Sequence, residues 1–299
     1  MRKANFLLLS AIIMLTSCSS DNGEEPSVFS GSPAENETEV MMTFSPYQIE
    51  TMARASVPVA FPTGTTRAAT SIATIVTHLD VWLYENGTEV TSAHQTTDDA
   101  DFGTVSVTLD KTKTYTLYAV GHKAEGAASL ANGIISFPNE KVTHAMFYTT
   151  TFTPATATSL SCLMERIVGL FKLTTTDAVP DDVTKVEFAL GSTPTRWNVA
   201  GYGVNPQERT VSFNNITTFS DGTVSFLMYI IAAENEATNY TITATAYRSD
   251  NSVKQTRTFE NVPIRNGYRT TYQGSFFTDT PMTMTFTVDD WQDYDTVNF

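Results

Sequence analysis

Apolar and polar residues alternate with a period of two along most of this chain, and apolar residues at helical spacing are nearly absent. The clearest case is residues 282–288. Met282, Met284, Phe286 and Val288 form one side, and Thr283, Thr285 and Thr287 form the other. A strand with one buried face carries this pattern. Trp291 follows the polar Asp289-Asp290 step, and alternation resumes at Val297 and Phe299. This closing segment is expected to bury side chains in a groove, in its own domain or in a neighbour's.

Val40, Met42 and Phe44 share one face of a first predicted strand at 40–47, where Pro46 stops further pairing. A long strand is predicted over 72–84. Asn86-Gly87, set between Val81-Trp82-Leu83-Tyr84 and Thr88-Glu89-Val90, is a hairpin signal. Further strands are predicted at 104–109, 114–120, 134–137 and 145–152. A second set covers 160–173, 183–190, 197–204, 209–213, 224–232, 240–247, 253–259, 268–277 and 282–288. Short strands separated by turns such as Asp221-Gly222 and Asn266-Gly267 predict an all-β chain of two Greek-key β-sandwiches in tandem. Their expected spans are 68–158 and 159–299, with the boundary in the Thr/Ala/Pro segment 153–159.

Composition supports a folded body. Hydrophobic residues make up 41% of the chain and charged residues only 17%, too apolar a mixture for disorder. Arg2 and Lys3 precede an apolar run at 6–15 that is too short to span a bilayer. The run closes on Leu15-Thr16-Ser17-Cys18, the pattern of a bacterial lipobox. Residues 1–17 are therefore read as a lipoprotein signal peptide and Cys18 as the acylated residue. Two or three acyl chains there would anchor the chain stably in a membrane where one would not. Ser19 to Glu25 then form a polar, acidic tether, the start of a linker over 19–38 rich in Ser, Asn, Glu and Pro.

Charge narrows the partners. The 18 Lys and Arg against 32 Asp and Glu leave −14, and losing Arg2 and Lys3 with the leader makes it −16. Such a chain repels nucleic acid, and no basic cluster interleaves with aromatics. With Cys18 acylated, Cys162 has no intramolecular partner and reads as a small buried hydrophobe.

No catalytic constellation is found, and no cofactor is expected. His78, His94, His122 and His144 are scattered singly, with no metal-protease pair. The run containing Asp98, Asp99 and Asp101 has the oxygen density of a calcium loop but lacks the acidic residue that would close it, so a solvated hairpin loop is expected. Asp289, Asp290, Asp293 and Asp295 are read as keeping an exposed strand soluble rather than as a carboxylate pair.

Taken in order, an acylated Cys18, a first strand, an Arg-bearing loop, two sandwiches and an aromatic-ended terminal strand resemble the fimbrillins. These are the FimA-like subunits of the type V pili of Bacteroidales-type bacteria. The telling pieces are Thr66-Arg67-Ala68 upstream of the Tyr84-Glu85-Asn86-Gly87 hairpin, the Arg166-centred strand at 164–172 and the 262–274 segment starting Val262-Pro263-Ile264-Arg265-Asn266-Gly267. The closing strand with Trp291 near its end completes the set.

The resemblance implies transthyretin-like sandwiches, export as an outer-membrane lipoprotein precursor, and residence in a surface fimbrium that supports adhesion. It implies an Arg-specific protease cutting after Arg67, or failing that Arg54, so that residues 18–67 leave with the strand bearing Val40, Met42 and Phe44. The vacated groove would accept a donor strand from another pilus subunit. Its side chains would be Met284, Phe286, Val288, Trp291, Val297 and Phe299. A tip or anchor subunit is an alternative within the resemblance. Outside it, a monomeric surface lipoprotein could bind glycan or host protein through Trp82, Trp197 and Tyr202, although packing in a core competes for those aromatics.

Overall fold

Leu79, Val81 and Leu83 occupy alternate positions of one strand and are all buried, as a period of two requires of a half-covered sheet. The computed structural model describes residues 35–47, 71–234, 236–278 and 285–290. Strand β1 (Glu37–Pro46) comes first, then β2 (His78–Glu85), β3 (Thr88–Thr96), β4 (Thr104–Asp110) and β5 (Tyr115–His122). Two short strands follow, β6 (Ser129–Ala131) and β7 (Ile134–Ser136), before β8 (Ala145–Phe152) and β9 (Ser159–Arg166). The second half holds β10 (Gly169–Thr175), β11 (Val183–Asn198), β12 (Tyr202–Asn214) and β13 (Ser225–Ile230). It ends with β14 (Thr238–Arg248), β15 (Val253–Ile264), β16 (Tyr268–Gly274) and β17 (Thr285–Asp290). The only helical elements among the described residues are two single 3-10 turns. The chain is all-β.

Three sheets result. The first runs β3-β2-β5-β8-β9-β1-β4, the second β13-β10-β16-β17, and the third β15-β14-β11-β7-β6 with β12 on the other side of β11. The first sheet wraps its own core, in which Met42 and Phe44 of β1 meet Leu79, Leu117 and Met164. The second and third sheets face each other across a core that includes Phe171, Phe188, Phe226, Ile242 and Phe259. A third apolar layer joins the two bodies. It brings Trp82, Val120 and Phe147 of the first sheet against Ile135, Trp197 and Tyr229.

Two predicted strands are cut differently from the expectation. Residues 72–84 do not form one strand. Ser71 caps a 3-10 turn at Ile72–Thr74, and Ile72, Ile75 and Val76 are buried in the first core instead of pairing. The run 160–173 divides at Ile167-Val168, because β9 lies in the first sheet and β10 in the second. The chain thus passes between sandwiches several residues after the expected 158/159 boundary. β7 meanwhile pairs with β11, so a piece of the first half belongs to the third sheet. The Asn86-Gly87 hairpin has the positive φ values, 50° and 79°, that its two-residue turn demands.

The crossover is tight. A Cβ built on Gly169 would lie 2.6 Å from the Arg265 carbonyl oxygen and 2.8 Å from Cγ2 of Ile264. Both neighbours are packed in the strand-turn that leads into β16, so neither yields easily. Gly169→Ala is therefore expected to cost about 1–3 kcal/mol, read as a lower denaturation midpoint; an unchanged midpoint would show that the crossover has room to spare.

Candidate functional site

The site is a strand position, and it is built around β1. Val40, Met42 and Phe44 point inward and are 0, 0 and 3% exposed, whereas Met41 is 45% exposed on the outer face. β1 runs antiparallel to β4 from Glu37↔Asp110 to Thr43↔Thr104. On its other edge it runs parallel to β9, from Met41↔Ser159 to Pro46↔Met164. Backbone bonds from Met41 N–H to Thr158 O (3.0 Å), Phe44 N–H to Gly103 O (2.8 Å) and Tyr47 N–H to Met164 O (2.8 Å) complete the enclosure.

The neighbours depend on it. Among the described residues β4 has no strand partner other than β1. β9 meets β8 only at Met146↔Arg166 and Phe147↔Glu165, so Ser159 to Met164 have β1 as their ladder partner. Cys162 lies opposite Phe44 and is fully buried. Burial pushes its thiol up to about 12, so it is chemically quiet while β1 is in place. Taking β1 out would leave a slot lined on both edges by unpaired N–H and C=O groups and floored by apolar side chains, both costly in water.

The sequence-predicted donor residues fall partly here. Phe286 and Val288 sit on β17, the edge strand beside β16, with register Tyr272↔Phe286 and Thr270↔Val288. Within this chain they are not buried: Phe286 is 58% exposed and Val288 43%, which leaves the neighbour's groove of the two expected places. Both lie on the face that carries Phe171 and Tyr272 towards the second core, but neither joins that core. Phe286 instead stacks on Tyr272 at 5.5 Å. Cys18, Arg54, Arg67, Met284, Trp291, Val297 and Phe299 lie outside the described residues.

Other candidates resolve differently. Trp82 and Trp197 are 6% and 3% exposed, packed in the layer between the sandwiches and closed to a glycan; Tyr202 is exposed. Asp99 turns back to accept the backbone N–H and the hydroxyl of Thr96, closing its own loop. Among the described residues no group of three His, Cys, Asp or Glu side chains could hold a metal ion.

One grouping escaped the sequence reading. His78, His94 and His122 meet around Asp80, whose carboxylate lies 2.7 Å from Nδ1 of His94 and 2.9 Å from Nε2 of His122. A simple two-residue hairpin would have put His94 on the opposite face from Asp80. The register slips by one between Leu83 and Tyr84, which flips every side chain beyond it and brings His94 opposite Asp80.

Fold and site together define a tandem β-sandwich protein whose first sheet includes a strand supplied from the far side of a long connection. Residues 131–297 match DUF6562, described as a family of unknown function, and the chain belongs to that family. No curated protein sequence matches it. Among solved structures, a candidate adhesin from Bacteroides ovatus aligns with a TM-score of 0.51 at 10% identity, covering 83% of this chain and 95% of that one. A candidate polysaccharide-binding protein from Bacteroides thetaiotaomicron aligns with a TM-score of 0.50 at 7% identity, covering 85% and 96%. The fimbrial anchor protein Mfa2 from Porphyromonas gingivalis gives 0.44 at 11% identity, covering 85% and 97%. At such identities the first two likenesses speak for the fold alone.

The inward and outward faces of β1 make a direct test. Phe44→Ala is expected to cost about 3 kcal/mol or more in residues 18–299, against about 0.5 kcal/mol or less for Met41→Ala. Chemical denaturation of the two variants checks this; equal costs would mean that β1 is not part of the core.

Proposed function

We propose that this protein is a structural subunit of a cell-surface fimbria that supports adhesion, assembled by exchange of the β1 strand. The observation that carries the reading is that β1 fills an interior position which β4 and much of β9 cannot do without. The precursor is exported as an outer-membrane lipoprotein held through Cys18. An Arg-specific protease cuts after Arg67, or Arg54, in the connection that leads from β1 to the rest of the body. β1 then leaves, and a terminal strand of another subunit takes its place by strand addition.

The chemistry suits such an exchange. Val40, Met42 and Phe44 are spaced two apart, and so are Met284, Phe286 and Val288. Phe286 and Val288 are exposed on a strand whose single neighbour among the described residues is β16. Burying three such side chains contributes roughly 5–9 kcal/mol gross, before the ordering cost of the incoming segment. Because the contact is head to tail and does not close, repetition gives a filament. The fold shared with a candidate adhesin of Bacteroides ovatus supports a role in attachment. We assign the protein no catalytic activity.

Recombinant residues 68–299 are expected to form ladders or filaments on size-exclusion chromatography and electron microscopy, and residues 18–299 to stay monomeric. Deleting residues 290–299 from the trimmed form is expected to abolish the ladders. A trimmed chain that remains monomeric contradicts strand exchange. N-terminal sequencing of the protein released from cell surfaces reads the cut, with Ala68 as the expected first residue.

A further inference from the structure

All four histidines of the chain lie in its first half, at positions 78, 94, 122 and 144, and β10 to β17 contain none. The structure draws them to the side of the first sheet that meets the second sandwich. The His122 ring stands edge-on to Phe137 at 5.7 Å, and Phe137 belongs to the apolar layer between the two bodies. The His144 ring, 4% exposed, stacks on Tyr229 of β13 at 5.6 Å and 17°. The second contact joins the two bodies directly; the first packs His122 against the residue that follows β7, the strand that pairs with β11 of the third sheet.

We propose that this layer is an acid-opened joint: protonating its histidines separates the two sandwiches while each keeps its own core folded.

Consider first the group around Asp80. The carboxylate is 2% exposed and also accepts the backbone N–H of Ala128 at 3.0 Å. The Asp80 carboxylate oxygens face Nδ1 of His94 and Nε2 of His122, so an N–H on each of those nitrogens completes the two bonds. Nδ1 of His122 is buried and without a hydrogen-bond partner, as is Nδ1 of His78. A bare nitrogen is tolerable there. A protonated one places a charged N–H donor where nothing accepts it. The His78 ring lies between those of His94 and His122, at 5.4 and 5.3 Å, so further protons fall on stacked neighbours. Asp80 and Glu125 are the carboxylates that act on His78; burial and the two flanking rings outweigh them and lower its affinity for a proton.

His144 faces a different surrounding with the same consequence. Arg166 donates from Nε to Nε2 of His144 at 3.1 Å, so that nitrogen must be unprotonated. Burial, then the charges of Arg166 and Lys123, hold its pKa well below the ordinary imidazole value. A second proton would break the bond to Arg166 and set two cations face to face. His78 and His144 therefore carry fewer protons folded than unfolded. Their contribution to stability is complete above about pH 6.5 and is lost as pH falls below it.

In the second sandwich, hydrogen bonds from Arg248, Lys185, Thr223 and Ser252 hold the carboxyls of Asp182, Glu187, Asp221 and Asp250 below their ordinary values, further from mild acid than the histidines of the joint. The test compares hydrogen-exchange protection factors of the full chain at about pH 7.5 and about pH 5. Amides of the β6–β7 hairpin and of residues 229–231 are expected to lose protection by about tenfold or more at the lower pH, while those of β11 and β14 between 183 and 246 keep theirs. Trp82 and Trp197 should shift to longer-wavelength emission over the same range. His144→Phe and His78→Gln should each retain protection at the lower pH; His78 is half-exposed, so its variant serves if the buried one fails to fold. A loss spread evenly through the second sandwich, no loss at all, or the same profile in a folded variant would overturn the proposal.

Discussion

A single backbone ladder organises this molecule. β4 is joined to the first sheet through β1, and among the described residues the first six of β9 have no other strand beside them. Hydrogen-bonding groups of a strand cannot be left dry and unpaired without a cost of the order of 1–3 kcal/mol each. A sheet that depends on one strand in this way is committed to keeping that position filled. In the assembly we propose, the position matters more than any particular side chain: a segment that alternates correctly would fill it in a closed precursor and in an open polymer alike.

The physical separation of tasks follows from the three cores. The first sandwich carries the slot, and its inner face is largely apolar: Cys162 behaves there as a small hydrophobe, and the buried Gln95 side chain is satisfied by the backbone of Gly103 and Thr104. The second sandwich is a dense aromatic block in which Phe171, Phe188, Phe213 and Phe226 meet edge to face or tilted. Its edge strand β17 presents Phe286 and Val288 outward. Asp177 fixes where this last part of the chain departs, accepting the backbone N–H groups of Phe276, Phe277 and Thr278 at 2.8, 2.8 and 2.9 Å. The β1 position and the exposed apolar strand consequently sit on separate bodies, joined through the histidine-bearing layer.

Much of this was legible in the alternation itself. Val40, Met42 and Phe44 face inward as their spacing predicts, and the Asn86-Gly87 hairpin forms where its residues require it. Turn chemistry and a period of two are local properties, so local reading finds them. What escaped was non-local. The one-residue slip beyond Leu83 decides which face His94 joins, and nothing in the hairpin's turn announces it. The exposure of Phe286 was hidden for a related reason: alternation says that two faces differ, but not whether an opposing sheet reaches far enough to cover one of them. Ile72, Ile75 and Val76 likewise look like the start of a strand, and only the shape of the first core makes them a plug at its end. Trp82 and Trp197 required knowing that two sandwiches meet face to face.

Cys162 offers the most direct measurement of the central claim, because it lies opposite Phe44 with no exposed surface. Maleimide labelling should be followed on a Cys18→Ser chain before and after cleavage at Arg67 and removal of the β1 fragment. The account predicts a protected thiol in the intact chain, labelling faster by about 100-fold or more once β1 is gone, and renewed protection on adding a peptide of residues 282–299. A thiol that stays protected after β1 has been removed would mean that the body closes over the gap, leaving no place for another strand.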